Sequence, residues 1–390
     1  MRLRKFYDNT LTRLFIKDAD MIWYLIKKGN YKKLRNFIWT RLRVRDMWGV
    51  LFDPIFQTFP FLAPYPKEIE VEVTTRCHLR CIICEHTYWK DPAYKKQDLT
   101  SSEFKHICDQ FPDLRFINVT GEGTCFLNKE FFEILEYLQL RGVYTLFVDS
   151  FDIFDEEKAR QVIELGVERI EVSLDAATKE TYEKIRVGAS WDRVISNLKK
   201  FRSIKKELKT PFPFIYFRYV INKFNIHEMV HFLDLINELD MNLGKRKYIE
   251  FTGLLSFDEI KELDVEEIPP DLIERLHNKA KELNINMSWC HSKNVFLDMK
   301  KCAKWLQPYI MIGGDVILDC ALLMANNRAY LKETRLGNVF EEDFHKIWNS
   351  ERYKKIRASV NRDKGPISIL CKDCRGYDTS KRQASYGTFE

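Results

Sequence analysis

A chain of 390 residues, 45% hydrophobic and 31% charged, can bury the core of one large and one small domain, or of two to three medium ones, and is not a disordered chain. Its formal net charge of +6 is modest for this length and makes no case for nucleic acid as a partner. No apolar run approaches the ~20 residues that a membrane span needs, and no signal peptide opens the sequence, so a reducing, cytoplasmic setting is expected.

Residues 1–63 read as short helices joined by basic turns, closed by Pro64 and Pro66. Residues 1–50 alone carry 13 Lys and Arg against 4 Asp and Glu, a surplus of nine, so the rest of the chain is net negative. From Lys67 the pattern alternates between strand and helix. "EIEVEV" predicts a strand, "LTSSEFKHICDQF" a helix capped by Thr100 or Ser101, "LRFINVT" a strand, and "NKEFFEILEYLQLRG" a helix closed by Gly142. "YTLFVD", "ERIEVSLD", "FPFIYFRYV" and "RKYIEFTG" predict four more strands, with helical patterns between them. Six β/α alternations over residues 64–255 indicate an α/β fold with a parallel sheet. They are too few for a closed eight-fold barrel, so a partial, TIM-like (β/α)6 barrel is expected. Residues 256–300 read as a linker with one helix, residues 301–378 as a small cysteine-bearing domain, and residues 379–390 as a tail.

The ten cysteines are not scattered: seven fall in spacings that favour metal ligation over disulfides. Cys77, Cys81 and Cys84 form C-x3-C-x2-C in "TTRCHLRCIICEH", just after the first strand, where parallel sheets place their ligands. Three thiolates can hold three corners of a [4Fe–4S] cube and leave the fourth iron for an exogenous ligand. A zinc site would need a fourth ligand, with His78 or His86 nearest in sequence.

This segment resembles the signature of the radical S-adenosylmethionine (radical SAM) superfamily, with Glu72 and Thr74 in its lead-in and His78 where Asn is frequent. The resemblance implies that the open iron binds the amine and carboxylate of S-adenosylmethionine. It also implies an electron that breaks the sulfonium bond, and a 5′-deoxyadenosyl radical that takes hydrogen from a substrate. "TGEGTCFLNKEF" is similar to the family's glycine-rich turn, which makes Gly121, Glu122, Gly123 and Thr124 cofactor-binding candidates. Either Glu122 or Thr124 stands in the acid's place. "IEVSLDAATKETYEKIR" resembles the fourth strand and its helix, which maps the ribose and carboxylate contacts onto Ser173 and Arg186. Asp175 either caps the next helix or orders the loop. Arg218, a charge amid an aromatic strand, faces either the barrel interior or an outer helix.

Cys302, Cys320, Cys371 and Cys374 form a second set, which fits zinc or a second [4Fe–4S] cluster. The surrounding sequence resembles the SPASM and twitch extensions of radical SAM barrels, and four ligands match the form with one auxiliary cluster. Of the other cysteines, Cys108 reads as core, Cys125 as core or substrate contact, and Cys290 as a substitute ligand.

The expectation is a radical SAM oxidoreductase acting on a small polar molecule such as a sugar or cyclitol. Peptide modification and lipid or lipid-linked glycan chemistry are the alternatives, and a non-catalytic iron–sulfur or zinc protein is the rival of another class. No catalytic acid or base is identifiable. A reducing partner such as flavodoxin or ferredoxin is implied. The basic, aromatic-rich residues 1–63 either lie on an anionic inner-membrane surface or pack against the barrel.

Overall fold

The computed structural model describes residues 18–42, 51–254, 257–290, 302–318 and 328–362. Cys320, Cys371, Cys374 and the 379–390 tail lie outside the described residues, as does the side chain of Cys290. Ahead of the sheet stand helices α1 (Ala19–Lys27), α2 (Tyr31–Arg41) and α3 (Asp53–Thr58). Seven parallel strands follow in spatial and chain order: β1 (Glu68–Glu72), β2 (Phe116–Thr120), β3 (Tyr144–Asp149), β4 (Arg169–Ser173), β5 (Phe214–Val220), β6 (Lys247–Thr252) and β7 (Ile285–Cys290). Their crossovers carry α4 (Ser101–Asp109), α5 (Phe131–Arg141), α6 (Glu156–Leu165), α7 (Lys179–Ile185), α8 (Trp191–Glu207), α9 (Met229–Leu239) and α10 (Pro270–Glu282).

The partial barrel is open: among the described residues β1 and β7 do not pair. The free edge of β1 instead takes β8 (Pro308–Ile310) in parallel, and β9 (Asp315–Leu318) and β10 (Gly337–Asn338) continue antiparallel. Residues 257–290 differ from the linker read in the sequence, because α10 and β7 add a seventh unit to the six expected.

Period-2 alternation divides each strand between two environments. Val71, Val119, Phe147, Ile170, Phe217 and Phe251 point outward and are fully buried beneath the helices. Glu70, Asn118, Val148, Glu171, Arg218 and Glu250 point into the lumen. Local signals fix the helices. Thr100 forms a capping box with Glu103 at the start of α4, and Gly142 ends α5 in the left-handed conformation (φ 67°).

Helices α1 and α2 close the bottom of the barrel. Met21, Leu25 and Phe37 pack with Tyr144, Phe212 and Phe214 at the strands' N-terminal ends. Asn36 Nδ2 donates to Gly142 O at 2.7 Å, and Lys33 Nζ to Gly166 O at 2.7 Å. Buried Arg41 pairs with Asp18 at 3.2 Å and lies over the Phe37 ring. No helix among the described residues is long and apolar enough to cross a membrane.

Candidate active site

The loop that leaves β1 carries Cys77, Cys81 and Cys84, all three free and half-buried at one cavity of about 620 Å³ at the strands' C-terminal edge. Its main chain is pinned from two sides. Arg80 N donates to Val187 O at 2.8 Å and Ile82 N to Ile185 O at 2.9 Å, which fixes it to the end of α7. Thr124 N donates to Arg76 O at 2.7 Å, which fixes it to the turn after β2. That turn requires glycine. A Cβ at Gly123 would lie 2.4 Å from Arg76 O, and one at Gly121 would lie 2.5 Å from Thr74 O. Burial pushes the Cys81 thiol up to about 11, opposed by the nearby Arg186 charge, and raises Cys84 well above its ordinary value. A metal that binds these sulfurs displaces the protons and supplies the missing positive charge.

Glu122 lines the cavity and hydrogen-bonds Glu85, with Cys84 Sγ close by: the three ligand atoms lie within 4.8 Å of one another. Burial raises both carboxyls, and the pair cannot ionise together in so dry a place. Thr124 lines the same cavity, and its hydroxyl is 3.6 Å from Cys77 Sγ and 3.2 Å from His78 Nδ1. His78 Nε2 in turn meets Asp152 at 2.9 Å, and His86 bonds Thr75 O at 2.8 Å.

Across the cavity Ser173 ends β4, and Arg186 closes α7. Asp175 does not cap that helix; Thr178 does, by accepting from Thr181 N. Asp175 instead accepts from Val220 N at 2.8 Å and grips Arg186 at 2.5 Å, so it orders the loop and aims the guanidinium. Arg218 faces the interior, bridging Glu171 at 2.7 Å and Glu250 at 3.1 Å.

Among the described residues, the buried polar atoms at this cavity with no hydrogen-bond partner include Asn118 Oδ1, Asp149 Oδ2, Thr252 Oγ1 and Tyr309 Oη. Such atoms cost free energy unless a ligand satisfies them, so their convergence on one cavity marks a binding site. Asp149 had no role in the sequence reading. Phe151 N donates to its Oδ1 at 2.6 Å, which holds Phe151 at φ 61°, a left-handed conformation that is unusual for a bulky residue. Burial pushes the Asp149 carboxyl up to about 7, against that hydrogen bond and the charges of Arg186 and Lys158, while Asp152 adds to the rise.

Cys302 is the auxiliary-set cysteine within the described residues. Asn361 holds it from both sides: Cys302 N donates to Asn361 Oδ1 at 2.7 Å, and Asn361 Nδ2 donates to Cys302 O at 2.9 Å. The same amide nitrogen reaches buried Asp53 at 2.8 Å. Cys108 is core, and Cys125 is buried with its Sγ toward Val119 O and Val148 O. The C-terminal part is locked to β1 by Glu72, which accepts both Arg328 guanidinium nitrogens and Ile312 N at 3.0 Å.

The sequence profile of the radical SAM superfamily matches residues 71–236, and that of the SPASM iron–sulfur cluster-binding domain matches residues 302–375. The chain belongs to the radical SAM superfamily. As a radical SAM enzyme with a SPASM domain, it uses S-adenosylmethionine and [4Fe–4S] clusters, one of them auxiliary. The three convergent thiols and the unsatisfied lumen atoms fit those groups. Two relatives share most of their length with this radical SAM chain. The tungsten-containing aldehyde ferredoxin oxidoreductase cofactor-modifying protein of Pyrococcus furiosus is 25% identical over 79% of this chain and 87% of its own. The AdoMet-dependent heme synthase of Methanosarcina barkeri is 23% identical over 80% and 91%. Among solved structures, Streptococcus suis SuiB bound to S-adenosylmethionine superposes with a TM-score of 0.61 at 14% identity, covering 90% of this chain and 80% of that one.

Proposed function

We propose that this radical SAM enzyme oxidises a small polar substrate in the barrel lumen, by removal of a hydrogen atom, one electron and one proton. When bound, the reduced cluster and S-adenosylmethionine supply the carbon radical that takes the hydrogen atom. Cys77, Cys81 and Cys84 hold three irons of that cluster. The turn Gly121–Gly123, with Glu122, receives the cofactor's amino group, Arg186 its carboxylate and Ser173 its ribose. Asp175 keeps Arg186 aimed, and Thr124 supports Cys77 from the cavity wall, within reach of the cofactor. Arg218, with Glu171 and Glu250, orients the substrate. Asp149 Oδ2 takes the proton of the bond being oxidised. Cys302, Cys320, Cys371 and Cys374 would hold the auxiliary cluster, which would accept the electron left by the oxidation, and a reducing partner such as flavodoxin or ferredoxin would supply the electron that the cluster on Cys77, Cys81 and Cys84 needs.

The observation that carries this reading is the set of three free thiols above a lumen of unsatisfied polar atoms. A lumen of paired carboxylates, guanidinium groups and hydroxyls suits a molecule rich in hydrogen-bonding groups, a sugar or cyclitol first. The relatives favour a second reading, a precursor of an organic cofactor, because two of them act by name on a cofactor and on heme. Peripheral contact with an anionic inner-membrane surface through residues 1–63 accords with their charge surplus. Anaerobic reduction in the presence of S-adenosylmethionine should yield 5′-deoxyadenosine by chromatography, and its absence from iron-replete protein overturns the proposal.

A further inference from the structure

A second cavity, of about 440 Å³, opens at the bottom of the barrel, at the end opposite the cysteine loop. Its walls come from α1, the α8–β5 loop and the α9–β6 loop. Met21, Tyr24, Pro211, Phe214 and Leu243 make the floor apolar. Three exposed lysines from those three elements, Lys27, Lys209 and Lys245, stand on the rim. Lys245 pairs with Asp20 at 3.1 Å. Lys27 Nζ lies over the Trp23 ring at 5.4 Å, and Trp23 is 58% exposed beside half-exposed Ile26. A large indole left in water on a helix whose other face is fully packed is an unpaid hydrophobic surface.

We propose that this cavity seats the headgroup and upper chain of an anionic phospholipid, so that the barrel rests bottom-down on a bilayer. The inference rests on the peripheral-membrane reading above and gives it a site. Apolar floor and cationic rim match the two ends of such a lipid, and Trp with flanking lysines suits the headgroup level of a membrane. The charge distribution agrees: residues 1–50, which include α1, carry the positive surplus of the chain, while the remainder is net negative. Nucleic acid would use the lysines but leave the apolar floor without a partner. Docked in this way, the mouth of the active site points away from the bilayer toward soluble partners.

The test is co-sedimentation of the full chain with vesicles of phosphatidylcholine alone and of phosphatidylcholine with phosphatidylglycerol. Binding to the anionic vesicles only is expected. K27Q/K209Q should weaken it about 25-fold, from about fivefold for each lysine neutralised near the surface, and W23A should weaken it further. All three positions are exposed, so an unchanged thermal melt certifies the fold of each variant. Wild-type protein that ignores both vesicles sinks the site and the membrane reading together. Binding by K27Q/K209Q equal to wild type sinks the site alone, since contact would then run through other parts of residues 1–63. Retention on a single-stranded oligonucleotide but not on vesicles also overturns the proposal.

Discussion

The unbonded Oδ2 of Asp149 gives the proposed oxidation a pH signature. A base held near 7 is protonated below that value and idle, so turnover should rise as pH passes upward through about 7. Asp149→Asn should abolish that limb and slow turnover by about 10²–10⁴-fold, with binding of S-adenosylmethionine unchanged by calorimetry. Loss of cofactor binding with the pH limb intact would reassign Asp149 to the cofactor. The same carboxyl leaves a trace in stability. Its folded value lies above its ordinary one, so the native state holds a proton that the unfolded chain has lost. Its contribution to stability therefore declines as pH climbs from ~4 toward 7, a slope that urea titrations of D149N should lack. Residues of this kind differ in how far the chain announces them. Cys77, Cys81 and Cys84 are legible because their spacing alone puts three sulfurs on one loop. Arg218 was visible as a charge in an aromatic strand, although its inward direction came only with the register of β5. Asp149 carried no local signal: its meaning depends on the turn at Phe151 and on strands that close over it from elsewhere.

At the scale of elements, the turn after β2 is as constrained as the cysteine loop it supports. Gly123→Ala puts a methyl group against Arg76 O at 2.4 Å, and backbone cannot rotate aside as a side chain would. The variant should lose about 2–3 kcal/mol of stability in denaturant titration and reconstitute with less iron, because the displaced segment runs into Cys77. Unchanged iron content would show that the loop tolerates the shift. Most strands and helices were legible, since β-branched alternation and capping residues such as Thr100 act locally. β7 was missed for a physical reason. Its outward residues Ile285, Met287 and Trp289 alternate correctly, but the lumen positions are Asn286 and Ser288, and Ile285 alone among its six residues is β-branched. β8 was missed as part of the barrel sheet because three residues carry almost no pattern.

For the whole molecule, the joint between barrel and C-terminal part combines β1–β8 pairing with one buried ion pair, Glu72–Arg328. Arg328→Met leaves the Glu72 carboxylate buried and unpartnered by charge, which should cost about 3–5 kcal/mol, read by urea unfolding. The double variant E72Q/R328M should recover much of that loss, and a failure to recover it would mean that the arginine acts through packing on Trp89 instead. Composition and cysteine grouping revealed the parts of this molecule, but not that joint. Glu72 meets Ile312 across 240 positions of chain, a distance over which no periodicity speaks.

The order of synthesis turns that joint into a hazard. β1 emerges early and β8 last among its neighbours, so the first strand waits with one row of amides and carbonyls unclaimed until nearly the whole polypeptide has left the ribosome. Shortened forms that stop before residue 308 keep that row bare, and should stack edge to edge into insoluble aggregates even though every β/α unit is present.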